Sequence, residues 1–163
     1  MLESYLKRKP NRLAGYDYGQ LGCYFVTICT RGKQHLLGRV VGADVLIGPH
    51  VQLSELGTIV DRLISHMPSA KKYIVMPNHV HILFQISTPE NGPMGTSAPT
   101  QSIPWMVRYL KRTVTQAFGQ NVWQRSYYDH IIRNDADYLR IWNYIDTNPA
   151  KWRGDCYYTE TEG

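Results

Sequence analysis

Apolar and polar residues change their spacing several times along the chain, and each change marks an element. "CYFVTICT" (23–30) is a run of β-branched and aromatic residues and predicts a strand. Residues 31–52 hold short extended pieces, "GKQHLLG" and "VLIGPHVQL", broken by Gly and Pro. From Leu53 to Met67 apolar residues recur at Leu56, Ile59, Val60, Leu63, Ile64 and Met67. That is the spacing of an amphipathic helix, which Pro68 ends. "KKYIVMPNHVHILFQI" (71–86) predicts two strands about a tight Pro77-Asn78 turn, because Pro presets φ and Asn tolerates turn geometry. Residues 87–102, "STPENGPMGTSAPTQS", offer almost nothing to bury and predict a flexible loop.

A second helix is predicted over 103–118, with Ile103, Met106, Val107, Leu110, Val114 and Ala117 as its apolar stripe and Arg108, Lys111 and Arg112 on the other side. "SYYDHIIR" (126–133) predicts a further strand. Asn134 or Asp135 then caps a third helix, "DADYLRIWNYIDTN", stopped by Pro149. The order is β, α, β-hairpin, α, β, α. It predicts an α+β sandwich in a single domain, 1–163, with an antiparallel sheet and its helices packed on one face. No internal repeat is visible.

Composition narrows the class. Hydrophobic residues make up 43% of the 163 residues, enough for a core and too many for a disordered chain. No apolar run approaches the ~20 residues of a membrane helix. "MLESYLKRKPNRLAGYDYG" lacks the apolar stretch of a signal peptide, so the expected compartment is the cytoplasm. Cys23, Cys29 and Cys156 are odd in number and lack CxxC spacing, which fits reduced thiols and neither a disulfide framework nor a zinc site.

The net charge of +5 favours a polyanionic partner, nucleic acid being the commonest. Twelve tyrosines and four tryptophans among basic residues suit the stacking of unpaired bases, although most such rings belong to cores. Two basic features stand out. Residues 1–20 read as a partly extended arm carrying Lys7, Arg8, Lys9 and Arg12, and the second helix presents Arg108, Lys111 and Arg112. Both are candidate DNA contacts; a solvated helix face is the plainer reading of the second.

Within "MPNHVHILF" (76–84) strand alternation puts Val80, Ile82, Phe84 and Ile86 on one face. His79, His81, Leu83 and Gln85 take the other face, the one expected to lack helix cover. Two imidazoles so spaced can both reach one metal ion; polar residues on an exposed sheet face are the alternative. In the last helix Tyr138, Ile141, Trp142 and Ile145 form the apolar stripe, with Tyr144 and Asn148 neighbours at its flank. From that flank a tyrosine oxygen and an amide oxygen can reach over the sheet. Packing for Tyr144 and helix capping before Pro149 for Asn148 are the structural alternatives.

"MPNHVHILF" carries the His-hydrophobe-His signature of the HUH endonucleases. "WQRSYYDHIIRNDADYLRIWNYIDTNPAKW" (123–152) resembles the C-terminal half of the single-tyrosine transposases, especially the REP-associated tyrosine transposases. The early "YDY…GCYFVTICT", "LSELGTIV" and "KKYIVMPNHVH" fit as well, so the resemblance runs from about residue 12 to 152. It implies a ferredoxin-like (RRM-like) HUH endonuclease fold. It further implies His79 and His81 as ligands of Mg²⁺ or Mn²⁺, Tyr144 of "YIDTNP" as nucleophile, and Asn148 completing the metal site where related transposases often have Gln. Asp129 and His130 of "DHIIR" take no assigned role; one of them orienting a ligand is an option, strand-end packing the other.

The implied reaction is phosphodiester transfer on single-stranded or hairpin DNA, REP-like palindromes flanked by short guide sequences, through a 5′-phosphotyrosine intermediate. A monomer or a homodimer is implied, since related transposases include dimers that exchange tyrosines. A non-catalytic RRM-like nucleic-acid-binding module and a metal-dependent hydrolase acting through water are the competing readings.

Overall fold

The computed structural model describes residues 15–42, 47–87 and 102–160. Lys7, Arg8, Lys9 and Arg12 of the expected basic arm, and most of the 87–102 loop, lie outside the described residues. A four-stranded antiparallel sheet forms from β1 (Gly22–Cys29), β4 (Ala70–Val75), β5 (His79–Ile86) and β6 (Tyr128–Ile132), in the order β4-β5-β1-β6. Between β1 and β4 come β2 (Gly38–Val41) and β3 (His50–Leu53), which pair only with each other, and then α1 (Glu55–Ser65). Helices α2 (Ile103–Phe118) and α3 (Asp135–Thr147) precede and follow β6. Order and topology are those of the ferredoxin-like class read from the sequence.

Local chemistry sets the boundaries. The side chain of Ser54 accepts the amide of Gly57 at 3.0 Å and caps α1. Asn134 does the same for α3 through the amide of Asp137, at 2.8 Å. Gly119 closes α2 in the left-handed region with φ 82°, where a Cβ would be strained. At the β4–β5 turn the Met76 amide donates to the His79 carbonyl at 2.8 Å, so Pro77 and Asn78 form the tight turn expected of them.

The main core lies between one sheet face and α1 and α2. Tyr24, Val26 and Ile28 of β1 and Val80, Ile82 and Phe84 of β5 meet Leu56, Val60 and Ile64 of α1 and Met106, Leu110 and Val114 of α2. Gly57 lets α1 approach the chain just ahead of β2, because a Cβ there would lie 1.9 Å from the Leu37 carbonyl oxygen.

The placement of α3 departs from the sequence expectation. Two of the three helices share one face, while α3 covers the other. Its Ile141 and Ile145 bury against Leu83, with Phe25, Ile74, Ile132, Tyr138 and Trp142 around them. The physical reason lies in β1 and β5 themselves, since Phe25 and Leu83 make the second face half apolar and a helix stripe is needed to take them out of water. Lys72 fastens the junction, paired with Asp146 at 2.5 Å and 4.2 Å from the Trp142 ring centroid. The histidines on this face are therefore not exposed: His79 and His81 are both 0% accessible.

Candidate active site

Strand pairing sets the neighbours of the two histidines. In the β1–β5 register His81 stands opposite Thr27 and His79 opposite Cys29. Thr27 Oγ1 lies 2.8 Å from His81 Nδ1, and Asn78 Oδ1 lies 2.8 Å from His79 Nδ1. The amide nitrogen of Asn78 donates to the carbonyls of Lys33 (3.2 Å) and Tyr157 (2.9 Å). Its oxygen must therefore face the imidazole and accept the Nδ1 proton. That leaves His79 Nε2 with a bare lone pair.

Burial pushes the pKa of His79 down to about 4, against a smaller upward pull from Asp155. His81 is pushed well below its usual value, first by burial and then by His79. Both rings are thus neutral at pH 7, the state a metal ligand requires. Their Nε2 atoms lie 3.0 Å apart. Without a cation, His81 can donate its Nε2 proton to His79 while Thr27 donates to His81 Nδ1. A cation held by His81 Nε2 would require that proton on Nδ1, with the Thr27 hydroxyl accepting it. The 3.0 Å separation is one that two nitrogen ligands of a single cation can share once His81 Nε2 has given up its proton.

Helix α3 brings two more groups to the pair. The Tyr144 ring lies 5.1 Å from that of His81, centroid to centroid, and edge-on to Phe25 at 6.0 Å. Asn148, 1% exposed, sits one turn on, at the helix C-cap. Its Nδ2 donates to Asp155 Oδ2 at 2.9 Å. Its Oδ1 is buried with no hydrogen-bond partner. An orphan amide oxygen in such a place costs about 1–3 kcal/mol unless something electropositive meets it, and a cation would do so. No cluster of three or more His, Cys, Asp or Glu side chains forms among the described residues. The two imidazoles face each other, and the Asn148 amide is linked to the neighbouring Tyr144 through Asp155.

The sequence reading missed the segment after α3. A short 3₁₀ turn at Trp152–Gly154 leads the chain back across the histidines. Asp155 Oδ2 accepts the Tyr144 hydroxyl at 2.7 Å as well as Asn148, while its Oδ1 accepts the Tyr157 amide at 2.7 Å. Burial first, and the Asp155 carboxylate next, raise the Tyr144 pKa far above that of a free phenol. The Tyr157 ring lies tilted 4.7 Å from His79 and edge-on 5.6 Å from His81, and Trp152 lies 5.8 Å from His79. "WRGDCYYT" has no periodicity to betray this role. Thr27 was legible in principle, since counting alternation along paired strands places it beside His81.

Other candidates stand elsewhere. His130 faces Asp137 at 2.6 Å on the protein surface, and Asp137 also binds Arg140. Asp129 pairs in register with Val26, so its side chain is on the α1/α2 side of the sheet, away from the histidines. Lys111 is half-buried. Its ammonium donates to the carbonyls of Gln124 (2.7 Å) and Ser126 (2.9 Å), tying the loop before β6 to α2. Arg108 and Arg112 are exposed on the same helix, on the face of the sheet opposite the histidines. No described helix is long and apolar enough to cross a membrane.

No protein-family model matches the chain. It is 26% identical over 145 residues to a Haemophilus influenzae protein assigned to the REP-associated tyrosine transposases, a match covering 83% of this chain and 74% of that one. It is 34% identical over 80 residues to the Escherichia coli REP-associated tyrosine transposase, covering 48% of this chain and 42% of the relative. Among solved structures, a REP-associated tyrosine transposase bound to a REP hairpin superposes with a TM-score of 0.53 at 24% identity, over 89% of this chain and 74% of that one.

Proposed function

We propose that the chain, which is similar to REP-associated tyrosine transposases over part or most of its length, cuts and rejoins single strands of hairpin DNA through a covalent link to Tyr144. The observation that carries this reading is the meeting, within one chain, of a neutral His79–His81 pair, an unpartnered amide oxygen on Asn148 and the Tyr144 hydroxyl.

In this reading His79 Nε2, His81 Nε2 and Asn148 Oδ1 hold a divalent cation, Mg²⁺ or Mn²⁺. Bound there, it would act as a Lewis acid on a non-bridging oxygen of the scissile phosphate. Phe25 and the aliphatic packing of α3 hold the Tyr144 ring, so its oxygen approaches phosphorus from a fixed direction. The phenol oxygen forms a bond to phosphorus, and the bond from phosphorus to the 3′ oxygen breaks. The products are a 5′-phosphotyrosine and a free 3′-OH. One phosphate ester replaces another, so the step reverses and strands are rejoined without a nucleotide cofactor. The phenol proton must leave as the oxygen attacks, and Asp155 Oδ2 already accepts it in a hydrogen bond.

The test is a denaturing gel of the protein incubated with Mn²⁺ and a labelled hairpin taken from DNA beside its own gene. A protein–DNA adduct that disappears in Tyr144→Phe is expected. Tight binding without an adduct, with Mg²⁺ as well as Mn²⁺, would overturn the catalytic reading in favour of a binding module. Cleavage that survives Tyr144→Phe would instead point to attack by water.

A further inference from the structure

Tyr157 reaches the Nδ1 side of both imidazoles, once with its backbone and once with its side chain. Its carbonyl accepts Asn78 Nδ2 at 2.9 Å, and Asn78 Oδ1 lies 2.8 Å from His79 Nδ1. Its ring lies over Thr27. Strand pairing puts Thr27 between His81 of β5 and Tyr128 of β6. The Tyr157 ring is 5.6 Å from that of His81 and 6.2 Å from that of Tyr128. The Tyr157 phenol hydrogen-bonds the Thr27 hydroxyl, whose oxygen lies 2.8 Å from His81 Nδ1. Each imidazole is thus backed by a chain of hydrogen bonds that ends on residue 157.

The two chains behave differently. Asn78 is fully buried, and its nitrogen faces the Lys33 and Tyr157 carbonyls. A turned amide would set oxygen against oxygen, so Asn78 stays in one orientation and His79 in one tautomer. The chain through Thr27 can run either way. In one direction the phenol donates to the Thr27 oxygen and Thr27 donates to His81 Nδ1, which leaves the His81 proton on Nε2. In the other, His81 Nδ1 donates to Thr27, Thr27 donates to the phenol oxygen, and the phenol of half-buried Tyr157 donates outward. His81 Nε2 then carries a lone pair. Protons change places along the chain and no group changes charge.

We propose that Tyr157 is a positioning residue, holding His79 through Asn78 and His81 through Thr27 so that both Nε2 lone pairs can face one divalent cation. The proposal rests on the metal-binding part of the function proposed above. Its physical basis is the Thr27 proton. Thr27 is 2% exposed, and once its oxygen accepts from His81 its own proton needs an acceptor inside the protein. A phenol oxygen supplies one; a phenyl ring does not.

Tyr157→Phe tests this, because it keeps the ring against the imidazoles and the carbonyl that binds Asn78. Its Mn²⁺ affinity by titration calorimetry is expected to fall about tenfold or more, with the metal-free melting midpoint unchanged. Tyr157→Phe added to Thr27→Val should weaken binding no further than Thr27→Val alone, since either change breaks the same chain. Nitrogen-15 spectra of the imidazoles, taken with Mg²⁺ because Mn²⁺ broadens them, should show His81 protonated on Nε2 without the cation and on Nδ1 with it. His79 should be protonated on Nδ1 throughout, in wild type and in Tyr157→Phe. Unchanged Mn²⁺ affinity in Tyr157→Phe, losses that multiply in the double variant, or a His79 proton on Nε2 would overturn the proposal while leaving the metal reading intact. Wild-type protein that binds neither cation would overturn the metal reading, and this proposal with it.

Discussion

Asp155 Oδ2 accepts two hydrogen bonds from one face of α3, from the Tyr144 hydroxyl at 2.7 Å and from Asn148 Nδ2 at 2.9 Å. One carboxylate thus sets the direction of the candidate nucleophile and the orientation of an amide whose oxygen is left for a cation. Replacing it by Ala should leave the phenol without an acceptor for its proton and the amide free to turn. Adduct formation is expected to slow by about 10²-fold or more. Quenched time courses of adduct on hairpin DNA measure this; a rate equal to or above wild type would show that Asp155 restrains Tyr144 instead.

The Thr27 hydroxyl is bonded to His81 Nδ1, and its rotation lets His81 take either tautomer. Thr27→Val keeps the shape and removes that choice. Mn²⁺ affinity, read by titration calorimetry, should fall about 10- to 100-fold, with little change in melting midpoint. Unchanged affinity would mean that the cation does not sit on His81 Nε2.

The two histidines also set a pH dependence. Their native pKa values lie below the usual 6.5, that of His79 at about 4. The unfolded chain therefore takes up protons that the folded one refuses. The stability is complete above pH 6.5 and is lost as pH falls from there towards 4. Urea midpoints measured across this window should decline, and His79→Asn should flatten the decline. A cation bound at the same nitrogens should move the decline to lower pH.

The Lys111 ammonium ties the loop before β6 to α2. Lys111→Met should strip the carbonyls of Gln124 and Ser126 of their donor and destabilise the protein by about 1–3 kcal/mol. The salt dependence of hairpin binding should stay as in wild type. A shallower salt slope with unchanged stability would restore the ammonium to the interface.

Gly57 tests the joint between α1 and the chain before β2. The Cβ of an alanine there would meet the Leu37 carbonyl oxygen at 1.9 Å, backbone that cannot swing aside. Gly57→Ala should cost more than about 3 kcal/mol, well above ordinary overpacking. A denaturation midpoint near that of wild type would mean that α1 can back away from the hairpin.

Periodicity alone determined much of this protein. The strands at 22–29 and 79–86, the helices at 55–65 and 103–118, and the turn at Pro77-Asn78 follow from spacing and turn chemistry, because each is a local choice of the backbone. Alternation also put His79 and His81 on one face, and the wheel put Tyr144 and Asn148 on one flank. What those two surfaces do with each other was not local. The sheet's second face holds Phe25 and Leu83 besides two imidazoles, and only packing α3 over it removes that apolar area from water. That packing buries the histidines, which keeps them neutral, and brings the tyrosine to them. The carboxylate at Asp155 and the rings of Trp152 and Tyr157 come from a segment without regular pattern. Its course is held by distant partners: the Asn78 amide donates to the Tyr157 carbonyl, and the Thr159 hydroxyl donates to the Lys33 carbonyl. Contacts between residues 79 and 157 leave no trace in a window of neighbouring residues, so this half of the site existed only once the chain had closed.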